Sequence, residues 1–205
     1  MKKIILSILA VASFGIANAQ DEATTYGFSE GDMFVEGSFS FRSGDVVDSW
    51  SFNPSIGYLL TEKWAIGGRL NFSGSDNNAL EENKFGVTAF GRYYFLSLGE
   101  KKNFQAYGEV GLGYSSVKSN GFYDANGDFN PFGKDQTNGD LNANIDLGIN
   151  YFFTGNWAAT FKLANILSYN STNPENGDNS SDLNVNVNLF NNIFAQPQFG
   201  LLYRW

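Results

Sequence analysis

Neither cysteine nor histidine occurs anywhere in the 205 residues. Without cysteine there is no disulfide framework, no thiolate metal site and no acylated cysteine to anchor a lipoprotein. Without histidine, the imidazole bases and Ser-His-Asp triads of most hydrolases and acyltransferases are closed, and the chain reads as non-enzymatic. A basic cluster is missing too. Thirteen Lys and Arg stand against 21 Asp and Glu, for a net charge of −8. No nucleic-acid partner is implied, because phosphate binding needs clustered cations. No motif calls for a cofactor. Charge of either sign is scarce, at 17% of residues against a usual ~25%. What is abundant is aromatic side chains, also 17%, and glycine, at 23 residues. That mixture favours close-packed strands and turns over helices.

The amino terminus has the make-up of a secretion signal. Lys2 and Lys3 precede an apolar stretch from Ile4 to Ala17, and Ala17-Asn18-Ala19 supplies a small-x-small cleavage site. Fourteen residues are too few for a spanning helix, which needs about 20. Cleavage between Ala19 and Gln20 is the expectation. Loss of the two lysines takes the charge from −8 to −10. No later stretch reads as a membrane helix, so any membrane crossing would have to be made by strands.

From residue 32 onward the chain alternates with a period of two, the mark of strands with unlike faces. The expected strands cover about Asp32–Arg42, Ser49–Leu60, Trp64–Phe72, Lys84–Phe95, Phe104–Tyr114, Leu141–Phe153, Trp157–Leu163 and a last one ending at Trp205. The sixth is the cleanest: Leu141, Ala143, Ile145, Leu147, Ile149, Tyr151 and Phe153 alternate with Asn142, Asn144, Asp146, Gly148 and Asn150. Short turns follow strands two, four and six, at 61–63, 97–102 and 154–156. The other connections are mostly longer and polar, chiefly Lys118–Asp140 and Asn170–Asp182. An even strand count with short turns at one end and long loops at the other predicts an all-β fold: a closed, eight-stranded, antiparallel, up-and-down transmembrane β-barrel over 32–205. Leu183, Val185, Val187 and Leu189 resemble a ninth strand. An even-numbered barrel instead predicts one long final strand, bulged or kinked near Pro197.

Alternation does not say which face is wet, because a soluble lipid carrier would show the same period with its faces exchanged. The polar face consists of Gly, Ser, Asn, Thr and Ala with scattered charges, whereas a solvated exterior is dense in Lys and Glu. No charge occurs on the apolar face, as lipid contact requires: Arg or Lys at the bilayer midplane costs about 2–4 kcal/mol. The aromatics also band by height. Tyr58, Trp64, Tyr93, Tyr151, Trp157 and Tyr203 gather near the short-turn end, and Phe41, Trp50, Phe72 and Phe85 near the other. Such girdles mark membrane interfaces. The apolar face is predicted to face lipid.

The chain ends in Phe199-Gly200-Leu201-Leu202-Tyr203-Arg204-Trp205, with Phe199, Leu201, Tyr203 and Trp205 on one face. With the export signal and the strand plan, this ending resembles the small outer-membrane β-barrel family of the OmpA/OmpX type. The glycine- and asparagine-rich style is similar to Bacteroidetes-type members. The resemblance implies residence in the cell outer membrane with lipid as partner. It also implies a short periplasmic segment at 20–31 and recognition of the four terminal residues by the barrel-assembly machinery. One departure from that pattern is expected: OmpA-like proteins often carry a second, peptidoglycan-binding periplasmic domain, and here the barrel is expected to stand without it.

Lumen-facing charges are predicted at Glu36, Arg69, Arg92, Glu109, Asp146 and Lys162, at similar depth, with Lys84 and Arg42 higher and Arg204 at the base. Three acids and three bases in so narrow a bore suit an ion-pair plug, or the lining of a narrow solute path. Asp124-Ala125-Asn126-Gly127-Asp128 resembles a calcium loop in its alternate oxygens, but its glycine falls outside EF-hand spacing. With Asp135, Asp140, Glu175, Asp178 and Asp182 in the long connections, a divalent cation or other surface ligand stands beside ordinary turn chemistry.

Overall fold

The computed structural model describes residues 26–43, 47–77, 80–99, 101–123, 129–173, 179–185 and 198–205. Nine strand segments occur in these: β1 (Met33–Arg42), β2 (Asp48–Leu59), β3 (Trp64–Asn77), β4 (Leu80–Leu98), β5 (Phe104–Tyr123), β6 (Phe129–Phe152), β7 (Trp157–Asn173), β8 (Ser180–Val185) and β9 (Gln198–Arg204). All neighbours are antiparallel. β9 pairs with both β7 and β1, which closes the sheet on itself and leaves no spanning edge to satisfy.

The nine segments make eight staves. β8 and β9 lie on the same flank of β7: Val185 pairs with Leu167 and Gln198 with Lys162. Four β7 residues separate 162 from 167, while twelve residues separate 185 from 198. The two segments are thus separated by more chain than the β7 residues facing them. Val187, Leu189 and the expected kink at Pro197 lie outside the described residues.

The expected faces are those observed. Val35, Trp50, Ile56, Ile66, Val110 and Leu112 are exposed on the outside, and Glu36, Arg69, Arg92, Glu109 and Asp146 are buried within. At the short-turn end, Trp64 stacks near Tyr93 (4.6 Å) and Trp157 near Tyr203 (4.8 Å). Phe72 meets Phe85 at 5.2 Å nearer the other end. Two short turns share one device, Thr-x-x-Trp. The Thr61 hydroxyl accepts from the Lys63 and Trp64 amides, and the Thr154 hydroxyl from those of Asn156 and Trp157. Each turn thus satisfies its own backbone donors.

Two expectations need correction. Much of the long connections is strand. The β5–β6 ladder runs up to Tyr123↔Phe129, and β7 pairs with β8 out to Thr172↔Ser180. No apolar alternation marks the 118–140 ribbon in the sequence. Its register is instead propagated from the barrel below. The lumen is also more apolar than its polar face suggested. Phe34, Leu59, Phe90, Tyr94, Tyr107, Phe152 and Leu202 are buried inside toward the short-turn end. Three of these rings lie over a glycine directly opposite on the next strand: Phe34 on Gly57, Phe90 on Gly67 and Tyr107 on Gly148. A Cβ at any of the three glycines would fall 2.2–2.4 Å from the ring.

Residues 26–31 fold beneath this apolar floor. Gly27 and Gly31, both at positive φ (84° and 88°), turn the chain back on itself as few other residues can. Between them Phe28, 7% exposed, inserts against Tyr94, Phe152 and Phe34 at 4.8, 5.3 and 5.5 Å. The Gly31 amide donates to the Leu59 carbonyl. Residues 1–25, with the expected cleavage point, lie outside the described residues.

Candidate functional site

All six charges singled out from the sequence point into the lumen, where they form two adjoining networks. The first is built on Arg92, which is 1% exposed. Its Nε and Nη2 donate to Glu109 Oε2 (2.9 and 2.8 Å), and its Nη1 donates to Glu36 Oε2 (2.9 Å) and the Tyr94 hydroxyl (3.3 Å). Arg69 Nη2 donates to the other Glu109 oxygen at 2.7 Å. The Arg92 guanidinium lies 4.1 Å from the Tyr107 ring centre, and Arg69 lies 5.0 Å from that of Phe90. The ion network therefore rests directly on the aromatic floor, with cation–π attraction adding to the pairing.

The second network centres on Asp146. Lys162 Nζ donates to its Oδ2 and Asn165 Nδ2 to its Oδ1, both at 2.7 Å, and the Asn144 amide also donates to Oδ2. The ladder explains why two networks are needed. Glu109 pairs directly with Asp146 across β5 and β6. Like charges so placed repel, and in a buried setting each needs its own compensation. Glu109 receives two guanidiniums; Asp146 receives an ammonium and two amides. Bulges in β7, where the register shifts beside Asp146 and Gly148, bring Asn165 opposite Asp146.

The gap left between the networks, lined by Glu36, Ser38, Arg69, Tyr107, Thr160, Lys162 and Gln198, is about 10 Å3. That is about the room one water needs. Toward the hairpin end the bore widens into a cup of about 450 Å3. Lys84, read from sequence as a lumen charge, pairs there with Asp140 at 3.2 Å. Asp140, expected in a long connection, sits instead on β6. Arg42 is exposed at the rim. At the base Arg204 pairs with Asp32, and its Nε donates to the Gly155 carbonyl. The residues absent from the sequence reading are the inward aromatics Phe90, Tyr94 and Tyr107. Their signal was the glycine opposite each of two of them, legible once the register is known.

Phe199, Leu201 and Tyr203 alternate along β9, and Trp205 follows directly after it. Phe199 pairs with both Phe39 and Phe161, and Tyr203 with both Val35 and Trp157. The terminal residues thus form the outer face of the closing stave. Residues 124–128, with their calcium-like spacing, and Glu175 and Asp178 lie outside the described residues. The backbone of Asp135 is in β6 and that of Asp182 in β8. Among the described residues no group of three or more acidic side chains is placed to hold a metal.

A closed barrel with a hydrocarbon-type exterior, aromatic girdles and a charged, filled interior defines a transmembrane β-barrel protein. Residues 6–201 match the outer membrane protein beta-barrel domain family, and the chain belongs to it. Solved structures are similar to the chain as well. Neisserial surface protein A supports the fold, being similar over 86% of this chain and 100% of its own, at 12% identity and a TM-score of 0.53. The N-terminal β-barrel domain of Pseudomonas aeruginosa OprF covers 87% of this chain and 100% of its own, at 17% identity and a TM-score of 0.47. The Yersinia pestis attachment invasion locus protein Ail covers 86% and 99%, at 14% and 0.45. Curated proteins offer no match.

Proposed function

We propose that this protein is a non-enzymatic scaffold of the outer membrane, closed to solutes, which presents extracellular β-hairpins for surface interaction. One observation carries the reading: paired charges occupy the lumen at mid-height, and the gap between their two networks is about 10 Å3. The floor below it, sealed by Phe28, supports the same conclusion. The β5–β6 ribbon, with strands of 20 and 24 residues, is about twice the length a membrane crossing needs. Its surplus stands clear of the bilayer as a rigid platform, and binding commonly resides on such elements. The mid-lumen carboxylates Glu36, Glu109 and Asp146 are committed to cations and amides rather than to one another as an acid–base pair, and the chain has no histidine to replace them.

The other reading, a narrow small-solute path, requires the Arg92 and Asp146 networks to part. Planar-bilayer recording on refolded protein separates the two. The closed scaffold gives no steady current, and salt-dependent openings in the wild type would refute it. Export follows from the leader ending at Ala19. Mass spectrometry of the membrane-extracted chain should find Gln20 at its start. Recognition by the assembly machinery is assigned to Phe199, Leu201, Tyr203 and Trp205, whose outward row completes the barrel. Removing the Trp205 side chain should lower the folded yield in cells and leave refolding from urea intact.

A further inference from the structure

The lumen changes character above the ion network. Below, inward positions carry Phe, Tyr and Arg; above, β1, β2 and β3 turn Ser40, Ser51, Ser73 and their serine neighbours inward. The small side chains leave the 450 Å3 cup on the hairpin side of the ion network. Its volume is that of a small-ligand pocket. Its charged lining balances, with Arg42 and Lys84 against Glu82 and Asp140.

We propose that this cup binds a neutral polyhydroxylated solute, a soluble saccharide, arriving from outside. The proposal rests on the closed-lumen reading, which makes the cup an end station. Serine hydroxyls both donate and accept, as sugar hydroxyls do. Ser40 and Ser51 already bond to each other at 2.8 Å, and Ser75 bonds Glu82 at 3.5 Å. Lys84 and Asp140 add the stronger, charge-assisted partners. Lys84 spends one of its three N–H groups on Asp140 Oδ2 at 3.2 Å, and Asp140 Oδ1 takes no hydrogen bond. A charged ligand would have to compete with that ion pair. A polyol can bridge it with the charges left together, so neutrality and many hydroxyls are the expected selectivity. The cup is formed mainly by lumen-facing residues, Phe41 and Trp50 of the outer face lying only at its edge, which favours a dissolved sugar over a headgroup held in the bilayer.

Sucrose is the probe, titrated by calorimetry and saturation-transfer NMR against the refolded full chain in phosphatidylcholine nanodiscs. Saturable binding is expected in the wild type. Asp140→Ala should weaken it at least about tenfold, the scale of one lost charge-assisted bond. Ser73→Trp, which fills the cup from its wall, should abolish binding. Both variants should keep the heat-dependent gel mobility of a folded barrel. No binding by the wild type, or unchanged binding by a folded Ser73→Trp protein, overturns the proposal. Glycine betaine binding in preference to sucrose overturns the neutral-polyol assignment. A glucosylated lipid in the nanodisc that competes with sucrose would move the source to the membrane and overturn the soluble-saccharide assignment. Conductance of the same preparation tests the closed lumen separately: a silent barrel that ignores sucrose sinks the cup alone.

Discussion

Arg92→Met is the sharpest test of how the lumen charges are held. Methionine matches the aliphatic reach of arginine but removes a guanidinium that serves Glu109 twice, Glu36 once and Tyr94 once. Glu109 keeps Arg69 at 2.7 Å. Glu36 loses its ion pair: among the described residues Arg92 is the one side chain bonded to its carboxylate, Arg69 remaining only as a nearby charge, and its side chain is 6% exposed. Breaking a buried pair while stranding one charge costs about 3–5 kcal/mol. Most of that penalty comes from the orphaned carboxylate, so Glu36→Gln in the Arg92→Met background should recover at least about 1–2 kcal/mol. The pair is therefore non-additive in a defined direction, with the double variant more stable than Arg92→Met alone. Urea unfolding of protein refolded in lipid vesicles, followed by tryptophan fluorescence and gel mobility, reads both quantities. An Arg92→Met variant within about 1 kcal/mol of wild type, or a double variant no better than the single, would refute a buried, mutually dependent network. Arg92→Lys should fall between, since an ammonium cannot reproduce the guanidinium's fixed fork of donors.

Three further outcomes are expected. Val110→Arg places a cation on the lipid-facing row, where Val110 is 58% exposed, and should cost about 2–4 kcal/mol in bilayers; an unchanged unfolding midpoint would contradict lipid contact there. Gly57→Ala drives a methyl to within 2.2 Å of the Phe34 ring and should destabilise by about 1–3 kcal/mol through overpacking. Adding Phe34→Leu should restore part of the loss in the same urea titration. Phe28→Ala removes the ring that seals the floor and should cost about 3–5 kcal/mol if the segment packs as core. Faster hydrogen exchange confined to 26–31 and the neighbouring turn ends is the accompanying signature, and exchange unchanged from wild type would show the segment to be unanchored.

The eight-stave plan, the direction of each face and the lumen position of all six charges could be read from the chain, because a strand's side chains alternate whatever it pairs with. The turns were legible for a related reason. Their chemistry is local, as the shared Thr-x-x-Trp of 61–64 and 154–157 shows. What the tertiary structure alone decided depends on register between strands distant in sequence. Arg92 meets Glu36, 56 residues away, and Arg69 meets Glu109, 40 away, only because closure sets their depths. The same closure puts Glu109 beside Asp146 and so demands two networks where one was expected. The ribbon of 118–123 with 129–140 carries no apolar alternation in its sequence, and it became visible only through the ladder below. Whether the bore was filled or hollow was likewise beyond a one-dimensional pattern, since it turns on which side chains share a height. Tyrosine, phenylalanine and arginine coincide in the lower half and serine in the upper, which makes one a plug and the other a cup.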